Sequence, residues 1–484
     1  MTESESGTTP VESGTENSES GVRELSRRQL LAAGPALALA PGLSTLLLSS
    51  EAAGGVAPTD GKIPGYWSPT DPNRPPIDGP KGQDLWRRAD KVMPSYAMFL
   101  TRSARYAGYN VLPGFIAEAE GCRVKDVDGR SYIDFTCSAG PNLLGYRHPE
   151  IEAAARAQAN AGDLMPMFSP AMIDFCERLL QWTDGFDWAL PLKRGSDATE
   201  LAMRVARAAT GHPHILMFKD SYHGSNREQS LLYEGTPTDA LEHLSRLPWN
   251  DVAALDDFKS ARGKQVAAIL MSPLDQPGGN HPTRSASPEF IAAINRFRKR
   301  TGAAVILDDV RAGFRLHPKG SHKAMGLVPD MLCLGKALGN GHASAALIGT
   351  AALRGGAERI LYSSTYLFSA VCCHAAIATL DVYERDNAFA TMQRAGERLM
   401  AGMQKAANEY DQHLSFSGPA THPTMFYDND PDSALMERFC HETARRGVLF
   451  HPRIWSFMSA AHDDACIDEA IDIIGTSFAA MADK

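Results

Sequence analysis

The sequence lacks the patterns that mark several classes of protein. Its eight cysteines in 484 residues are too few for a disulfide framework, and none are spaced as C-x-x-C. No HExxH segment is present, so the sequence predicts no zinc site and we expect no bound metal. Asp and Glu (57) outnumber Lys and Arg (48), which gives a net charge of −9. This balance argues against a basic nucleic-acid-binding surface, and we expect no nucleic acid partner.

The N-terminal 57 residues lack a run suited to spanning a membrane. Residues 1–20 are mostly Ser, Thr, Glu and Gly, a composition that predicts disorder. The pair Arg27-Arg28 then precedes an uncharged stretch, 29–50, which two prolines interrupt. Small residues follow near 52–57, and the whole segment resembles a cleavable twin-arginine export signal.

We therefore predict a disordered leader with a twin-arginine-type signal over residues 1–57, and a periplasmic or otherwise exported mature protein without a membrane anchor. The alternatives are an amphipathic extension or a retained anchor in place of the signal, and a cytoplasmic location. Residues 58–83 are rich in Pro, Gly and Asp, which predicts a linker or a surface arm.

The rest of the chain has an ordinary globular composition, with 44% hydrophobic and 22% charged residues. Apolar runs predict buried strands, as in an open, mostly parallel α/β sheet. The predicted strands are 215–218, 266–271, 303–310 and 347–349, with a hairpin over 121–135. The predicted helices are 84–98, 149–161, 171–182, 288–300 and a long helix with its continuation over 371–411, before a small α+β region.

Lys336 and Asp308 stand out among the polar residues. Asp308 ends the predicted strand 303–310, and Lys336 follows the apolar run 331–334. In open α/β sheets, ligands bind at the carboxyl ends of such strands. Pyridoxal phosphate (PLP) needs an amine for a Schiff base and a carboxylate to keep its pyridine nitrogen protonated. The pair suits that cofactor, although a solvated loop lysine and a helix-capping aspartate are the simpler interpretations of each residue alone.

Two further stretches are compatible with a flat, phosphorylated ligand. Gly195-Ser196 opens a predicted helix, where backbone N–H groups can bind an anion, although Ser196 as a plain N-cap is the commoner use of the pattern. Tyr222 and His223 follow the strand 215–218 and could stack on a ring. Equally, they could be ordinary loop residues.

Taken in order, these motifs resemble the class III, fold-type I PLP-dependent aminotransferases, within the glutamate-1-semialdehyde aminomutase-like branch. The resemblance covers about residues 85–480 and rests on Asp-Val-Asp-Gly, Gly-Ser-Asp-Ala, Tyr-His-Gly, Asp-Asp-Val, Gly-Lys, Thr365 and Ser-Ala-Ala-His. The chain is also similar to bacterial aminotransferases that act on hydrolysed fumonisin, a long-chain amino polyol.

The resemblance implies an α/β fold with a mostly parallel, seven-stranded sheet in a large domain over 171–370. A smaller α+β domain would combine residues 84–170 and 371–484. The resemblance also implies a homodimer with shared active sites.

By the same resemblance, each motif residue has an expected role. Lys336 forms the Schiff base and Asp308 faces the pyridine nitrogen. Gly195 and Ser196 bind the phosphate, and Tyr222 stacks on the ring with His223 beside it. Val310 packs on the opposite face, and Thr365 reaches the phosphate from the neighbouring subunit.

Some residues depart from the family pattern. Arg194 replaces a serine or threonine, Asp197 and Asp309 replace glutamates, and Ser272 replaces the Glu of a Glu-Pro pair. Arg311 lies where the cofactor's phenolic oxygen is expected. The arginines that could bind a substrate carboxylate are Arg102, Arg105, Arg311 and Arg453. Tyr366, Leu367 and Phe368 could line an apolar substrate channel or pack a dimer contact.

The leading hypothesis is an aminotransferase that moves an amino group from an amine or amino alcohol to a keto acid such as pyruvate or 2-oxoglutarate. A second is a glutamate-1-semialdehyde 2,1-aminomutase-type isomerase, which needs no second substrate. A third is a non-catalytic descendant that binds a ligand or a partner.

Overall fold

A computed structural model describes residues 74–93, 110–219, 221–229, 237–258, 265–275 and 280–482. The predicted leader and export signal, 1–57, lie outside these ranges, as does most of the predicted arm, 58–83. In the described part of the chain, no helix combines the length and the apolar character needed to cross a bilayer.

Strands and helices alternate through the middle of the chain. The strands are β1 (Ile116–Glu120), β2 (Arg123–Asp126), β3 (Ser131–Asp134), β4 (Trp188–Leu192), β5 (His214–Phe218), β6 (Leu244–Leu247), β7 (Val266–Met271), β8 (Ala304–Asp308), β9 (Met331–Leu334), β10 (Ala345–Gly349), β11 (Leu414–Ser417), β12 (Thr424–Tyr427) and β13 (Val448–Leu449). The helices are α1 (Pro80–Val92), α2 (Pro149–Ala161), α3 (Pro170–Trp182), α4 (Gly195–Thr210), α5 (Val252–Asp256), α6 (Pro288–Thr301), α7 (Ser321–Met325), α8 (Ala351–Glu358), α9 (Ala370–Arg385), α10 (Ala388–Glu409), α11 (Ala434–Arg446) and α12 (Asp464–Ala482).

The central sheet has seven strands in the order β4-β10-β9-β8-β7-β5-β6. The pairs β9–β8, β8–β7, β7–β5 and β5–β6 are parallel, and β10 alone runs against its neighbours. The predicted mostly parallel, seven-stranded sheet is confirmed. Its parallel strands end at one edge, where the loops that carry Asp308 and Lys336 begin.

Helices cover both faces of this sheet, which explains why its strands are apolar at every position. Along β7, Leu270 packs with Leu201 and Val205 of α4 in one core cluster. The alternate residues Ile269 and Met271 pack in a second cluster with Phe290 and Ile294 of α6, among others.

The ends of α6 follow from its sequence. The Ser287 hydroxyl accepts a hydrogen bond from the Phe290 N–H at 3.1 Å, and Pro288 takes the first helical position. Gly302 closes the helix with φ near +75°, a conformation that favours glycine. The predicted helix 288–300 and its N-cap are confirmed.

A second, four-stranded sheet joins distant parts of the chain in the order β1-β2-β3-β13. The predicted hairpin forms β2 and β3, and Val448 and Leu449 of β13 pair in parallel with Ile133 and Asp134. Strand β1 was not predicted, because its residues are mostly exposed and carry charged side chains. This sheet unites N-terminal and C-terminal segments, as the fold prediction requires, while the domain boundaries at 170 and 370 stay predictions.

The predicted helix 84–98 has different bounds in the structure. Helix α1 begins at Pro80, inside the predicted arm, because the backbone N–H groups of Lys81 and Gly82 donate to the Asp128 carboxylate. It ends at Val92, and Met93 is extended. The predicted long helix and its continuation over 371–411 are α9 and α10, and Asn387 adopts a left-handed conformation between them.

Candidate active site

Lys336 opens a short 3₁₀ turn, Lys336–Gly339, directly after β9. Its φ is +41°, an unusual value for a residue with a Cβ, and such geometry costs on the order of 1 kcal/mol. The turn is held by Asn340, whose side chain accepts from the Leu144 N–H (2.7 Å) and donates to the Gly145 carbonyl (2.9 Å). These bonds anchor the backbone that presents Lys336.

The surroundings of Lys336 favour its neutral amine. Part of the side chain is accessible, but the pKa of the amine is lowered to about 8, mainly by burial. The Arg311 guanidinium lowers this pKa as well, whereas Asp308 acts in the opposite direction. About half of the Lys336 amines are therefore nucleophilic near pH 8, against fewer than about one in a hundred for an ordinary lysine.

Asp308 is buried at the end of β8 and has two partners. Its Oδ2 lies 2.8 Å from Nδ1 of His223, and its Oδ1 accepts from the Val310 N–H at 3.2 Å. His223 is fixed in turn, because the Thr199 hydroxyl donates to its carbonyl at 2.7 Å. The structure therefore joins the two predicted site residues Asp308 and His223 directly.

The turn at Gly195 lies against Val310 and Gly335. A Cβ on Gly195 would approach Val310 Cγ1 to 2.6 Å, and one on Gly335 would lie 3.7 Å from the Gly195 Cα. Three stretches far apart in sequence thus meet at the edge of the sheet. Only a glycine at position 195 allows the start of α4 to come this close to Val310, in the loop after β8.

Ser196 lies in the first turn of α4, so it is not the N-cap; Arg194 takes that position. The Ser196 hydroxyl accepts from the Ser225 N–H at 3.2 Å, and Gly224 approaches so closely that a Cβ there would lie 2.6 Å from the same oxygen. Loop 221–229 therefore packs over the N-terminus of this 16-residue helix. The N–H groups at the start of α4 and the helix dipole suit a phosphate.

Tyr222 leaves its ring half exposed, although its neighbours Ser221 and His223 are buried. Its position beside the Asp308–His223 pair is compatible with stacking on a ring. Thr365 begins an exposed 3₁₀ turn, Thr365–Phe368, and within this subunit no described contact joins it to Lys336 or Asp308.

The departures from the family pattern have distinct environments. The guanidinium of Arg194 pairs with Asp197 at 2.5 Å, and that of Arg453 pairs with Glu437 at 2.9 Å. Asp309 accepts from the Ser321 N–H at 2.9 Å, and burial raises its pKa to about 7. Ser272 is buried at the end of β7. Arg311 is buried and unpaired with any described carboxylate, while Arg102 and Arg105 lie outside the described residues.

Sequence reasoning missed three residues near Lys336: Arg315, His422 and Trp455. The Arg311 guanidinium stacks on the Trp455 ring, with Cζ 3.7 Å from the ring centroid. His422 is fully buried between β11 and β12. No local pattern marks His422 and Trp455, because each lies more than 100 positions from Arg311 and only the fold brings them together.

The residues present fit PLP. The amine of Lys336, the hydrogen-bonded carboxylate of Asp308 and the glycine-lined N-terminus of α4 meet at one edge of the sheet. In that order, these groups have the chemistry needed to bind the aldehyde, the pyridine nitrogen and the phosphate of PLP.

Comparison with known proteins agrees with this geometry. The sequence pattern of the family described as aminotransferase class-III matches residues 105–477. An aminopentol aminotransferase from Sphingopyxis macrogoltabida is 34% identical over 84% of this chain and 95% of its own length. A glutamate-1-semialdehyde 2,1-aminomutase from Polynucleobacter necessarius is 28% identical over 82% of this chain and 98% of its own length.

Among solved structures, the FumI protein of Sphingopyxis sp. MTA144, in its PLP internal aldimine form, aligns with a TM-score of 0.80 at 34% identity. The match covers 83% of this chain and 97% of that one. Both the predicted family and the predicted fold class are confirmed. The chain therefore belongs to the class III aminotransferases, enzymes whose cofactor is PLP, and it is itself a transaminase.

Proposed function

We propose that this transaminase takes the amino group from an extended amine or amino alcohol without a carboxylate and gives it to a keto acid. The proposal rests on one observation. The Lys336 amine, whose pKa is lowered, and the buried Asp308–His223 pair lie together beside the Gly195 turn. Asp308 and Lys336 follow adjacent parallel strands, β8 and β9.

Each residue has a proposed role. Bound PLP supplies an aldehyde that captures the amine and a ring that withdraws electrons from the neighbouring carbon. Lys336 Nζ holds the cofactor at rest and then accepts the proton that leaves the carbon bearing the amino group. Asp308 keeps the opposing ring nitrogen protonated, and His223 holds Asp308 in place. The roles of the flanking residues follow the family: Gly195 and Ser196 bind the phosphate, and Tyr222 and Val310 enclose the ring.

The choice of donor rests on the relatives and on apolar surface near Thr365. One relative is named for an aminopentol substrate, and the FumI structure has the same degree of identity. Phe368 contacts Phe168 with their ring centroids 5.5 Å apart, and Tyr366 is exposed beside them. Leu367 is buried in the core, so it does not line a channel as the sequence had suggested.

An amine series tests this assignment. We expect kcat/KM with pyruvate to rise about fourfold for each methylene added from 2-aminobutane to 2-aminooctane, because each buried CH₂ contributes roughly 0.8 kcal/mol. Glutamate-1-semialdehyde and 4-aminobutyrate serve as the carboxylate-bearing controls and should be poorer donors. Efficient isomerisation of glutamate-1-semialdehyde without any keto acid would favour the aminomutase hypothesis instead.

We infer that the enzyme is a homodimer whose active sites are shared between subunits. Thr365, expected to reach the neighbour's phosphate, is exposed on a turn. Exposed apolar side chains also lie on the segments 361–366 and 164–168, which are linked where Leu164 pairs with Ser369 and Phe168 contacts Phe368. A group of exposed apolar side chains is unusual for a lone subunit. These side chains are Leu164, Met167, Phe168, Leu361 and Tyr366.

Subunit mixing tests the shared site. Lys336→Ala and Thr365→Glu homodimers should each be inactive, the second because a carboxylate repels the phosphate. Co-expression of the two variants should restore about a quarter of wild-type activity, since half of the dimers are mixed and each has one intact site. A monomer in light scattering, or no recovery on mixing, would rule out shared sites.

We also propose that residues 1–57 direct export. The support is the sequence alone: Arg27-Arg28 before the uncharged stretch 29–50. The Arg27→Lys, Arg28→Lys double variant should accumulate as an uncleaved precursor in the cytoplasm, as followed by fractionation and intact mass. Unchanged fractionation would indicate a retained extension.

A further inference from the structure

A buried group of cationic and polar side chains lies beside Lys336, and the roles assigned so far do not use it fully. The cationic cluster consists of Arg311, Arg315 and His422. Its aromatic walls are Trp455 and Phe457. All three polar side chains are almost completely buried, with at most 5% of their surface exposed.

The two arginines have similar environments. Arg311 stacks on Trp455 at 3.7 Å, and Arg315 lies over Phe457 with Cζ 5.1 Å from the ring centroid. A guanidinium that stacks on a ring keeps its edge free for planar hydrogen bonds. Here, Nε and Nη1 of both arginines are buried without a hydrogen-bond partner among the described residues. Within the described part of the chain, their Nη2 atoms donate only to carbonyls, those of Asp275 at 3.5 Å and Gly140 at 2.8 Å.

His422 completes the group from a different segment. Its ring meets Phe457 edge-on, with the ring centroids 5.5 Å apart, and neither ring nitrogen has a partner in the described structure. Burial, followed by the charge of Arg311, holds the pKa of His422 well below its ordinary value, so the ring is neutral near pH 7. Arg315 and Lys336 also lower this pKa, which places all four groups within electrostatic reach of one another.

No described carboxylate forms an ion pair with Arg311 or Arg315. Asp275, which attracts Arg311, accepts hydrogen bonds from the backbone N–H and the guanidinium of Arg284. Asp308 contacts His223 and accepts from the Val310 N–H. Asp309, with a pKa of about 7, accepts from Ser321. Buried charges in proteins are normally paired, so two guanidinium groups without an anion indicate that one arrives with a ligand.

The ligand must carry more than one acceptor oxygen. The phenolic oxygen of PLP could accept from Arg311, but a single oxygen cannot satisfy Arg311, Arg315 and His422 together. Arginine's planar N–H groups match a carboxylate in particular. We propose that the cationic cluster binds the α-carboxylate of the keto-acid acceptor, which makes it the acceptor subsite of the proposed transaminase.

Separate half-reactions test this proposal. Holoenzyme loaded with pyridoxamine phosphate is mixed with pyruvate, and holoenzyme loaded with PLP is mixed with 2-aminooctane, each followed by absorbance in a stopped-flow instrument. For Arg311→Met and Arg315→Met, the pyruvate kcat/KM should fall about 30- to 100-fold, as expected for a lost charge-assisted hydrogen bond. The amine half-reaction should fall much less, so that the ratio of the two kcat/KM values changes at least about tenfold. Arg398→Gln, which removes an exposed arginine paired with Asp468, is the control.

Binding without turnover gives an independent readout. Oxamate, an unreactive analogue of pyruvate, should bind the wild-type pyridoxamine phosphate enzyme in calorimetry, and its Kd should rise at least about tenfold in both arginine variants. His422→Phe preserves the packing against Phe457 and should also raise this Kd, so the proposal stays testable if Arg315→Met folds poorly. In thermal melts, oxamate should stabilise the wild type and not the variants.

Two results would overturn the assignment. Unchanged oxamate affinity in all three variants would show that the carboxylate binds elsewhere, even if the wild type runs both half-reactions and the proposed function stands. Equal losses in both half-reactions, with a shifted pH titration of the cofactor's visible absorbance, would show that the cluster serves the phenolic oxygen alone. A wild type with no amine half-reaction would instead contradict the proposed function.

Discussion

The Lys336→Ala variant is expected to lose turnover and the visible absorbance of the bound cofactor together. Lys336 supplies both the amine that attaches PLP and the base that moves the proton, so activity should fall by about a thousandfold or more. Absorbance spectra of the purified protein and an assay with 2-aminooctane and pyruvate measure the two effects.

Lys323→Ala is the matched control for this change. Lys323 is an exposed lysine on α7 that pairs with Asp184, and its loss should leave both readouts unchanged. Normal transamination by Lys336→Ala would mean that another amine attaches the cofactor.

The Asp308→Asn variant should retain cofactor but lose about a hundredfold or more in kcat. Asparagine keeps the shape of the side chain and can still contact His223, but it removes the charge that favours a protonated ring nitrogen. The absorbance of the bound cofactor should persist, because Lys336 and the Gly195 turn are intact. Steady-state kinetics together with the absorbance spectrum measure this separation.

Asp309→Asn serves as the neighbouring control. Asp309 contacts the Ser321 N–H, and its pKa of about 7 leaves it only partly charged near neutral pH. Its replacement should therefore change kcat little. Wild-type rates in Asp308→Asn would place a different residue at the pyridine nitrogen.

The sequence predicted well those parts of the fold that local pattern controls. The uniformly apolar strand before Asp308 and the Ser287-Pro288 start of α6 both appear where their residues indicate. Asp308 and Lys336 also lie at the edge where the parallel strands end, as their positions after apolar runs predict. These features depend on residues close in sequence or on a general property of parallel sheets.

The remaining features depend on contacts between distant segments. His422 and Trp455 lie far from Arg311 in sequence, and nothing about a histidine in a loop indicates that a guanidinium is near. Arg194 departs from the family pattern, and the sequence did not indicate that it pairs with Asp197 three residues later. Strand β1 is stabilised by its pairing with β2, because its alternating alanines and glutamates are mostly exposed and contribute little apolar burial.

The pairing of β13 with β3 has a consequence for when the protein can fold. Roughly 300 residues separate the two strands, and a ribosome adding about 10 residues per second needs on the order of 30 s to make them. The N-terminal hairpin must therefore wait, with an open strand edge, until nearly the whole chain has been synthesised. The second sheet therefore closes only near the end of synthesis, when every strand of the central sheet has already been made.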